Sequence, residues 1–102
     1  MRRVMVRYTV KPDAVPLNEE LVRDVYEELA VAQPGGFRYA TFKLDDGIGF
    51  VHLAEHEDGA NPLAEVAAFG RFQEYLRERC DSPPVLTELS EVGSYRFFGA
   101  AS

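Results

Sequence analysis

The sequence predicts an α+β domain in which a four-stranded antiparallel sheet carries two helices on one face. Three observations predict it: apolar residues alternate with a period of two in several segments, two other segments carry apolar residues at helical spacing, and the segments follow the order β-α-β-β-α-β. The chain has 102 residues, and compact domains cluster around roughly 100–150 residues. We therefore expect residues 1–102 to form a single domain.

The first strand and the first helix come from residues 4–33. Apolar residues alternate strictly over residues 4–10, and Pro12 ends this strand because it cannot donate to a sheet ladder. A helix follows with Asn18 as its expected N-cap, and it ends where Gln33 meets Pro34 and two glycines. Its apolar stripe consists of Leu21, Val22, Val25, Tyr26, Leu29 and Ala32.

The middle of the chain predicts a β-hairpin. Residues 37–44 and 48–55 are rich in strand-forming residues, and an Asp-Gly pair between such runs is a strong hairpin signal. With Asp46-Gly47 as a two-residue turn, Thr41 faces His52. One face of the hairpin is then apolar, with Ala40, Phe42, Leu44, Val51 and Leu53. The other is mixed, with Tyr39, Thr41, Lys43, Phe50 and His52. A three-residue turn would change this division.

The second helix is predicted to begin at Asn61-Pro62 and to end before residues 81–84. Gly70 marks either a break between two helices or a close backbone approach. Residues 85–98 predict the last strand, with a kink or bulge at Gly93. We expect the tail, residues 99–102, to be unstructured.

This order of elements is the ferredoxin-like arrangement. Helices cover one face of such a sheet, so the other face should be polar at alternate positions. Here both faces carry apolar or aromatic residues, and an apolar open face usually needs a partner. The simplest partner is a second copy related by two-fold symmetry, so the sequence predicts a homodimer.

Composition excludes several classes of protein. With 17 acidic and 11 basic residues the net charge is −6, which argues against a nucleic-acid binder. No stretch approaches the roughly 20 apolar residues of a membrane span, and Arg7 and Lys11 interrupt any signal-peptide core. Cys80 is the single cysteine, so no disulfide forms within the chain. We expect a cytoplasmic protein that associates with neither nucleic acid nor membrane.

Three short motifs point to a family. The sequence VKP closes the first strand at residues 10–12, FVHLAEH covers residues 50–56, and FxxFQxYL covers residues 69–76. With the element order, they make the chain resemble the dimeric α/β-barrel superfamily, and within it the antibiotic-biosynthesis-monooxygenase-like domains. The resemblance implies a homodimer with a pocket between sheet and helices in each subunit. Some members oxidise aromatic polyketides without a metal or added cofactor, and others bind and degrade haem.

Two functions remain open. The first is a cofactor-independent monooxygenase acting on an aromatic or polyketide-like small molecule, which needs no cofactor. The second is a non-catalytic module that binds a small molecule or serves as an accessory subunit. The family's oxygenases commonly use a Trp and an Asn of the first strand, but the chain has no Trp and residues 4–10 contain no Asn. Haem degradation, a third possibility, uses a His of the second helix, and residues 62–80 contain none.

His52 is the best single candidate for acid–base chemistry, with Tyr39 as its catalytic partner. His52 lies in the middle of a strand, where burial can shift its pKa. The alternative is that it only lines the pocket, bonded to Thr41, Tyr39 or the backbone. Aromatic residues expected to line a pocket for a flat ligand are Tyr8, Phe50, Phe69, Phe72 and Tyr75.

Other chemistry is not expected. His56 lies four residues from His52, roughly 13 Å along a strand, so the two cannot chelate one metal ion, and no metal site is predicted. Cys80 lies near a helix C-terminus, which disfavours a thiolate. Glu27 and Glu28 are expected to belong to a solvated helix face.

Overall fold

The computed structural model of the chain describes residues 1–97, and its elements follow the predicted order. Two 3-10 turns, Pro12–Ala14 and Pro62–Glu65, precede the first and second helical segments. The strands and helices are β1 (Arg2–Val10), α1 (Val15–Ala32), β2 (Phe37–Lys43), β3 (Gly49–His56), α2 (Ala67–Gln73), α3 (Leu76–Arg79) and β4 (Cys80–Leu89).

The four strands form one antiparallel sheet in the order β2-β3-β1-β4. This order confirms the predicted ferredoxin-like α+β fold. Helices α1 and α2 pack on the same face, because Val25 of α1 and Phe72 of α2 join Tyr8 and Phe50 of the sheet in one buried cluster. Within residues 1–97, no helix is long and apolar enough to cross a membrane.

The hairpin has the predicted register and a longer turn. Thr41 pairs with His52, as expected. The two-residue turn was wrong: Leu44 N donates to Gly49 O at 2.8 Å, which leaves a loop of four residues, 45–48. The carboxylate of Asp46 accepts hydrogen bonds from the backbone of Ile48 (2.9 Å) and Gly49 (2.8 Å) and so fixes this loop. Because the loop is longer by an even number of residues, the same side chains share a face as in the shorter turn.

Helix α1 begins four residues earlier than an N-cap at Asn18 predicts, because Ala14 occupies the N-cap position. Its first residue is Val15, and Pro16 occupies the first turn, where its missing N–H is not needed. Asn18 therefore lies within the helix and is not its N-cap. It is fully buried, and its side chain bonds to Tyr8 and Arg79 instead of to the helix backbone.

The second helical segment breaks at Val66 and again at Glu74–Tyr75, and not at Gly70. Pro62 begins a 3-10 turn, the backbone is extended at Val66 (φ −97°, ψ 108°), and α2 starts at Ala67. Gly70 lies inside α2, and a Cβ added there would meet no atom within 4 Å outside its own stretch of helix, so neither predicted role holds. Glu28 of α1 accepts hydrogen bonds from the backbone N–H groups of Ala67 and Ala68, both at 3.0 Å. The expectation that Glu28 is merely solvated was wrong, because its carboxylate caps the N-terminus of α2.

Strand β4 begins five residues earlier than predicted and ends at Leu89. Cys80 already pairs with Val10, so residues 81–84 belong to the strand and do not separate it from the helix. Its pairing with β1 shifts register around these residues, and an edge strand tolerates proline. Gly93 lies beyond the strand and does not kink it. Phe98 and the tail, residues 99–102, lie outside the described residues.

The face of the sheet opposite the helices is apolar at its centre. Alternation along the strands directs Met5, Val51 and Leu53 away from the face that holds Tyr8 and His52. On this outer face the large apolar side chains of Phe42 and Val85 are 49% and 61% exposed.

Candidate functional site

A cavity of about 780 Å³ lies between the sheet and the second helical segment. Its sheet wall comes from all four strands, with Pro84 and Leu86 contributed by β4. Its other walls come from α2, α3 and the loop that leads to Pro62. The sequence-predicted residues that line it are Tyr8, Tyr39, His52, Phe69, Phe72 and Tyr75. Tyr75 is 68% exposed and therefore sits at the rim.

Phe50 is the one predicted lining residue that does not border the cavity. It is 2% exposed and faces Tyr8 across the β1–β3 ladder, where the two rings stack at 5.6 Å. Phe50 lies two residues before His52 on the same face of β3, within the buried hydrophobic core. Its contribution to the site is to support the ring of Tyr8.

His52 stands at the centre of the site with both ring nitrogens occupied by protein partners. Nε2 lies 2.7 Å from the hydroxyl of Tyr8, and Nδ1 lies 2.6 Å from the hydroxyl of Tyr39 and 3.1 Å from Oγ1 of Thr41. The strand register explains this arrangement, because His52 lies opposite Thr41 on one side and Val6 on the other. The structure thus brings the two predicted catalytic residues into direct contact.

Burial keeps this histidine uncharged. The side chain is 5% exposed, and burial lowers the pKa of His52 from 6.5 to about 4. Burial also raises the pKa values of Tyr8 and Tyr39 far above their usual range, and that of Tyr26 to about 12. At neutral pH the site therefore presents neutral hydroxyl and imidazole groups.

Aromatic rings surround these polar groups. The ring of Phe72 lies 5.3 Å from the ring of His52, and Phe69 stacks on Phe72 at 5.8 Å. On the β2 side, Tyr39 stacks between Phe37 (5.6 Å) and Tyr26 (5.3 Å). Such walls suit a flat ligand, because aromatic rings pack in offset or tilted contacts.

A second layer of polar groups lies behind Tyr8, and sequence reasoning missed it. Nδ2 of Asn18 donates to the Tyr8 hydroxyl at 3.0 Å, and Oδ1 of Asn18 accepts from Arg79 at 3.3 Å. Arg79 is 7% exposed and also donates to the carbonyls of Phe72 (2.7 Å) and Glu74 (3.0 Å). The sequence held one signal for Asn18: it precedes Leu21, Val22 and Val25 by three, four and seven residues, which places it on the apolar stripe of α1.

The remaining titratable residues do not form a metal site in the described part of the chain. Over residues 1–97, no three His, Cys, Asp or Glu side chains come close enough together to hold a metal ion. His56 lines the cavity, and its Nδ1 lies 2.9 Å from the carbonyl of Glu57. Cys80 is buried, and burial raises the pKa of its thiol, which disfavours the thiolate.

Comparison with solved structures identifies the fold. An antibiotic biosynthesis monooxygenase matches with a TM-score of 0.73 and 20% identity over 91% of this chain and 100% of its own. Rv0793 from Mycobacterium tuberculosis matches with a TM-score of 0.66 and 20% identity over 91% of this chain and 96% of its own. A variant of SnoaB, a cofactor-independent oxygenase from Streptomyces nogalater, matches with a TM-score of 0.64 and 17% identity over 91% of this chain and 94% of its own.

The chain has the antibiotic biosynthesis monooxygenase fold. No protein-family model matches it, and no curated protein matches it in sequence. The antibiotic biosynthesis monooxygenase fold extends over nine-tenths of the chain, as the sequence motifs predicted. Identities of 17–20% show a shared backbone arrangement, whereas an activity depends on the particular side chains of the site.

Proposed function

We propose that the cavity binds an aromatic small molecule and that the chain oxygenates it with molecular oxygen, without a metal or added cofactor. The observation that carries this proposal is the His52–Tyr39 pair, which is uncharged and opens into an aromatic-walled cavity. For a phenol with a free para C–H, the reaction is phenol plus O₂ giving para-quinone plus water. The ring carbon forms a bond to oxygen, and the para C–H, phenolic O–H and O–O bonds break. The two hydrogens leave in the water, and the substrate supplies all the electrons.

The His52–Tyr39 pair is suited to polarise the hydroxyl oxygen of the substrate and not to remove the hydroxyl proton. A phenol has a pKa of about 10, whereas the pKa of His52 is about 4. Moving a proton against a difference of about six units costs about 8 kcal/mol. The substrate therefore binds as the anion that forms in solution, and hydrogen bonds in a low-dielectric site stabilise the charge that reacts with O₂.

Oxygen consumption tests this proposal. Purified protein is incubated with 1-naphthol or anthrone in an oxygen electrode, and quinone formation is followed by chromatography. We expect one O₂ consumed per quinone formed, and at least a tenfold slower rate for Tyr39→Phe, since removal of one stabilising donor costs about that much or more. Glu27→Gln, on the exposed side of α1, is the matched control. Equal rates for wild type and Tyr39→Phe would contradict the assignment of Tyr39.

A non-catalytic binding module is the second candidate, and one observation favours it. Both nitrogens of His52 are already bonded to protein side chains, so the imidazole is held in place by the protein alone. In that case the same aromatic compounds bind, as measured by calorimetry, while oxygen uptake stays at the rate of protein-free buffer. Binding without uptake across the series would replace the oxygenase proposal by this one.

We also propose that a second copy of the chain covers the outer face of the sheet. The half-exposed Phe42 and Val85, on a face that no described helix covers, support a homodimer. In sedimentation equilibrium, we expect wild-type protein to have twice the chain mass and Phe42→Glu to have the mass of one chain. Val31→Glu is the matched control, because Val31 is 86% exposed on α1, away from this face. A wild-type mass equal to one chain would overturn the proposal.

A further inference from the structure

A chain of hydrogen bonds runs from Arg79 through Asn18 and Tyr8 to His52. Its first member, Arg79, can only donate. The guanidinium of Arg79 has five N–H donors and no acceptor, so the atom of Asn18 that faces it must be the carbonyl oxygen. The amide nitrogen of Asn18 then faces Tyr8, and it donates to the Tyr8 hydroxyl oxygen at 3.0 Å. The orientation of Asn18 is thus fixed by Arg79.

The proton of the Tyr8 hydroxyl must consequently point to His52. Tyr8 is 2% exposed, and a buried hydroxyl proton without an acceptor costs about 1–3 kcal/mol. Among the described side chains, Nε2 of His52, at 2.7 Å, is the acceptor within reach of this hydroxyl. If Nε2 carried a hydrogen, the Tyr8 oxygen would receive donors from both Asn18 and His52 while its own proton remained unpaired.

The neutral imidazole therefore carries its hydrogen on Nδ1. This N–H faces the oxygens of Tyr39 and Thr41, at 2.6 Å and 3.1 Å. The Tyr39 oxygen accepts the hydrogen, and its own proton is directed to Thr41 or to an oxygen of a ligand in the cavity that Tyr39 lines. The tautomer of His52 thus decides whether Tyr39 donates to a ligand or accepts from it.

We propose that Arg79, acting through Asn18 and Tyr8, holds His52 as the Nδ1–H tautomer and makes Tyr39 the hydrogen-bond donor of the cavity. The ligand class follows: a flat aromatic molecule that brings an acceptor oxygen, a carbonyl or a phenolate. This part rests on the proposed binding function, whereas the tautomer does not. Arg79 and Asn18 do not line the cavity, so they are positioning residues.

The tautomer is measured directly in the protein without ligand. Side-chain nitrogen NMR of uniformly ¹⁵N-labelled protein distinguishes a protonated ring nitrogen from an unprotonated one through their different shifts and couplings to the ring hydrogens. We expect Nδ1–H for His52 in the wild type at pH 7. The Nε2–H tautomer in the wild type would overturn the proposal without any variant.

The Asn18→Asp variant should reverse the tautomer. A carboxylate beside Arg79 can only accept, so the Tyr8 hydroxyl donates to it and its oxygen becomes free to accept from Nε2–H. Nδ1 then accepts from Tyr39. Tyr26→Phe is the matched control: it removes the 2.7 Å bond between Tyr26 and Thr41 but leaves the Arg79-to-His52 path intact, so Nδ1–H should persist. A folded Asn18→Asp variant that keeps Nδ1–H would refute the role of Asn18.

Ligand affinity tests the second half of the proposal. α-Tetralone differs from tetralin by one carbonyl oxygen, so the ratio of their Kd values measures the hydrogen bond to that oxygen. We expect wild type to prefer tetralone by about fivefold to tenfold, as a net hydrogen bond allows, and Tyr39→Phe and Asn18→Asp to lose the preference. A reversed tautomer with the preference intact would overturn the link to Tyr39.

Ligand binding and the tautomer of His52 are measured independently. If neither compound binds while NMR finds Nδ1–H, the binding function fails and the tautomer assignment stands. If tetralone binds but His52 carries Nε2–H, the binding function stands and the control by Arg79 is wrong.

Discussion

Acidification should destabilise the fold through His52. The folded protein lowers the pKa of this residue from 6.5 to about 4, because the buried ring loses hydration when it is charged. Between those two pH values the unfolded chain binds more protons than the folded one, so the free energy of unfolding falls as the pH falls. The stability contributed by neutral His52 is complete above pH 6.5 and is lost as the pH approaches 4.

The size of the loss follows from the shift. One pKa unit corresponds to about 1.4 kcal/mol, so a fall from 6.5 to about 4 corresponds to about 3 kcal/mol at pH 4 relative to pH 7. A domain of this size has a free energy of unfolding of about 5–15 kcal/mol. Protonation of this one side chain therefore removes a large fraction of the total.

The assay is the free energy of unfolding in urea, measured from pH 7.5 to pH 4 for wild type and His52→Gln. His56→Gln, which replaces the other histidine, is the matched control. The substituted residue does not titrate, so the His52→Gln curve should lie below wild type at pH 7 and should lose about 3 kcal/mol less on acidification. Glu19 and Asp46, whose pKa values are lowered by hydrogen bonds to Lys43 and to backbone amides, titrate in all three proteins and cancel in the difference. Parallel pH curves for wild type and His52→Gln would show that protonation of His52 does not destabilise the fold.

Two further predictions concern the second helical segment. Glu28→Gln should lower the free energy of unfolding by about 1 kcal/mol, because a charged cap is lost at the N-terminus of α2; in urea unfolding, an equal loss in the exposed Glu27→Gln would show that the cap is irrelevant. Arg79→Met should lower the free energy of unfolding by about 3 kcal/mol, because the carbonyls of Phe72 and Glu74 lose their buried donors. A thermal midpoint within 2 °C of wild type would contradict this.

The parts of the fold that the sequence predicted depend on short-range patterns. Alternation and the Asp-Gly signal are readable within ten residues, so they gave the register that places His52 opposite Thr41. Strand and helix boundaries were less accurate where local signals conflicted. Pro83 and Pro84 indicate an end to regular structure, yet an edge strand accommodates them because its outer N–H groups have no partner strand.

The parts that the sequence did not predict depend on contacts between distant residues. Arg79 meets Asn18 across 61 positions of the chain, and Glu28 meets Ala67 and Ala68 across 39 and 40. Most polar residues on helices are exposed to solvent, so the sequence gives no reason to expect a buried partner. The partner becomes visible only when the helix is packed against the rest of the structure. The sequence could place His52 beside Tyr39 because both lie on neighbouring strands of one hairpin.

The way this cavity is built explains how one fold can hold different chemistries. Its shape comes from the strand register and from the break at Val66, which are properties of the backbone. Its polarity comes from side chains that separate elements contribute: Tyr8 from β1, Asn18 from α1, His52 from β3 and Arg79 from α3. One substitution in this path, such as Asn18→Asp, leaves the cavity in place and reverses the direction of its hydrogen bonds. Proteins that share this backbone at 17–20% identity can therefore differ in the ligand oxygen that they recognise, because recognition depends on the side chains that line the cavity and not on the backbone alone.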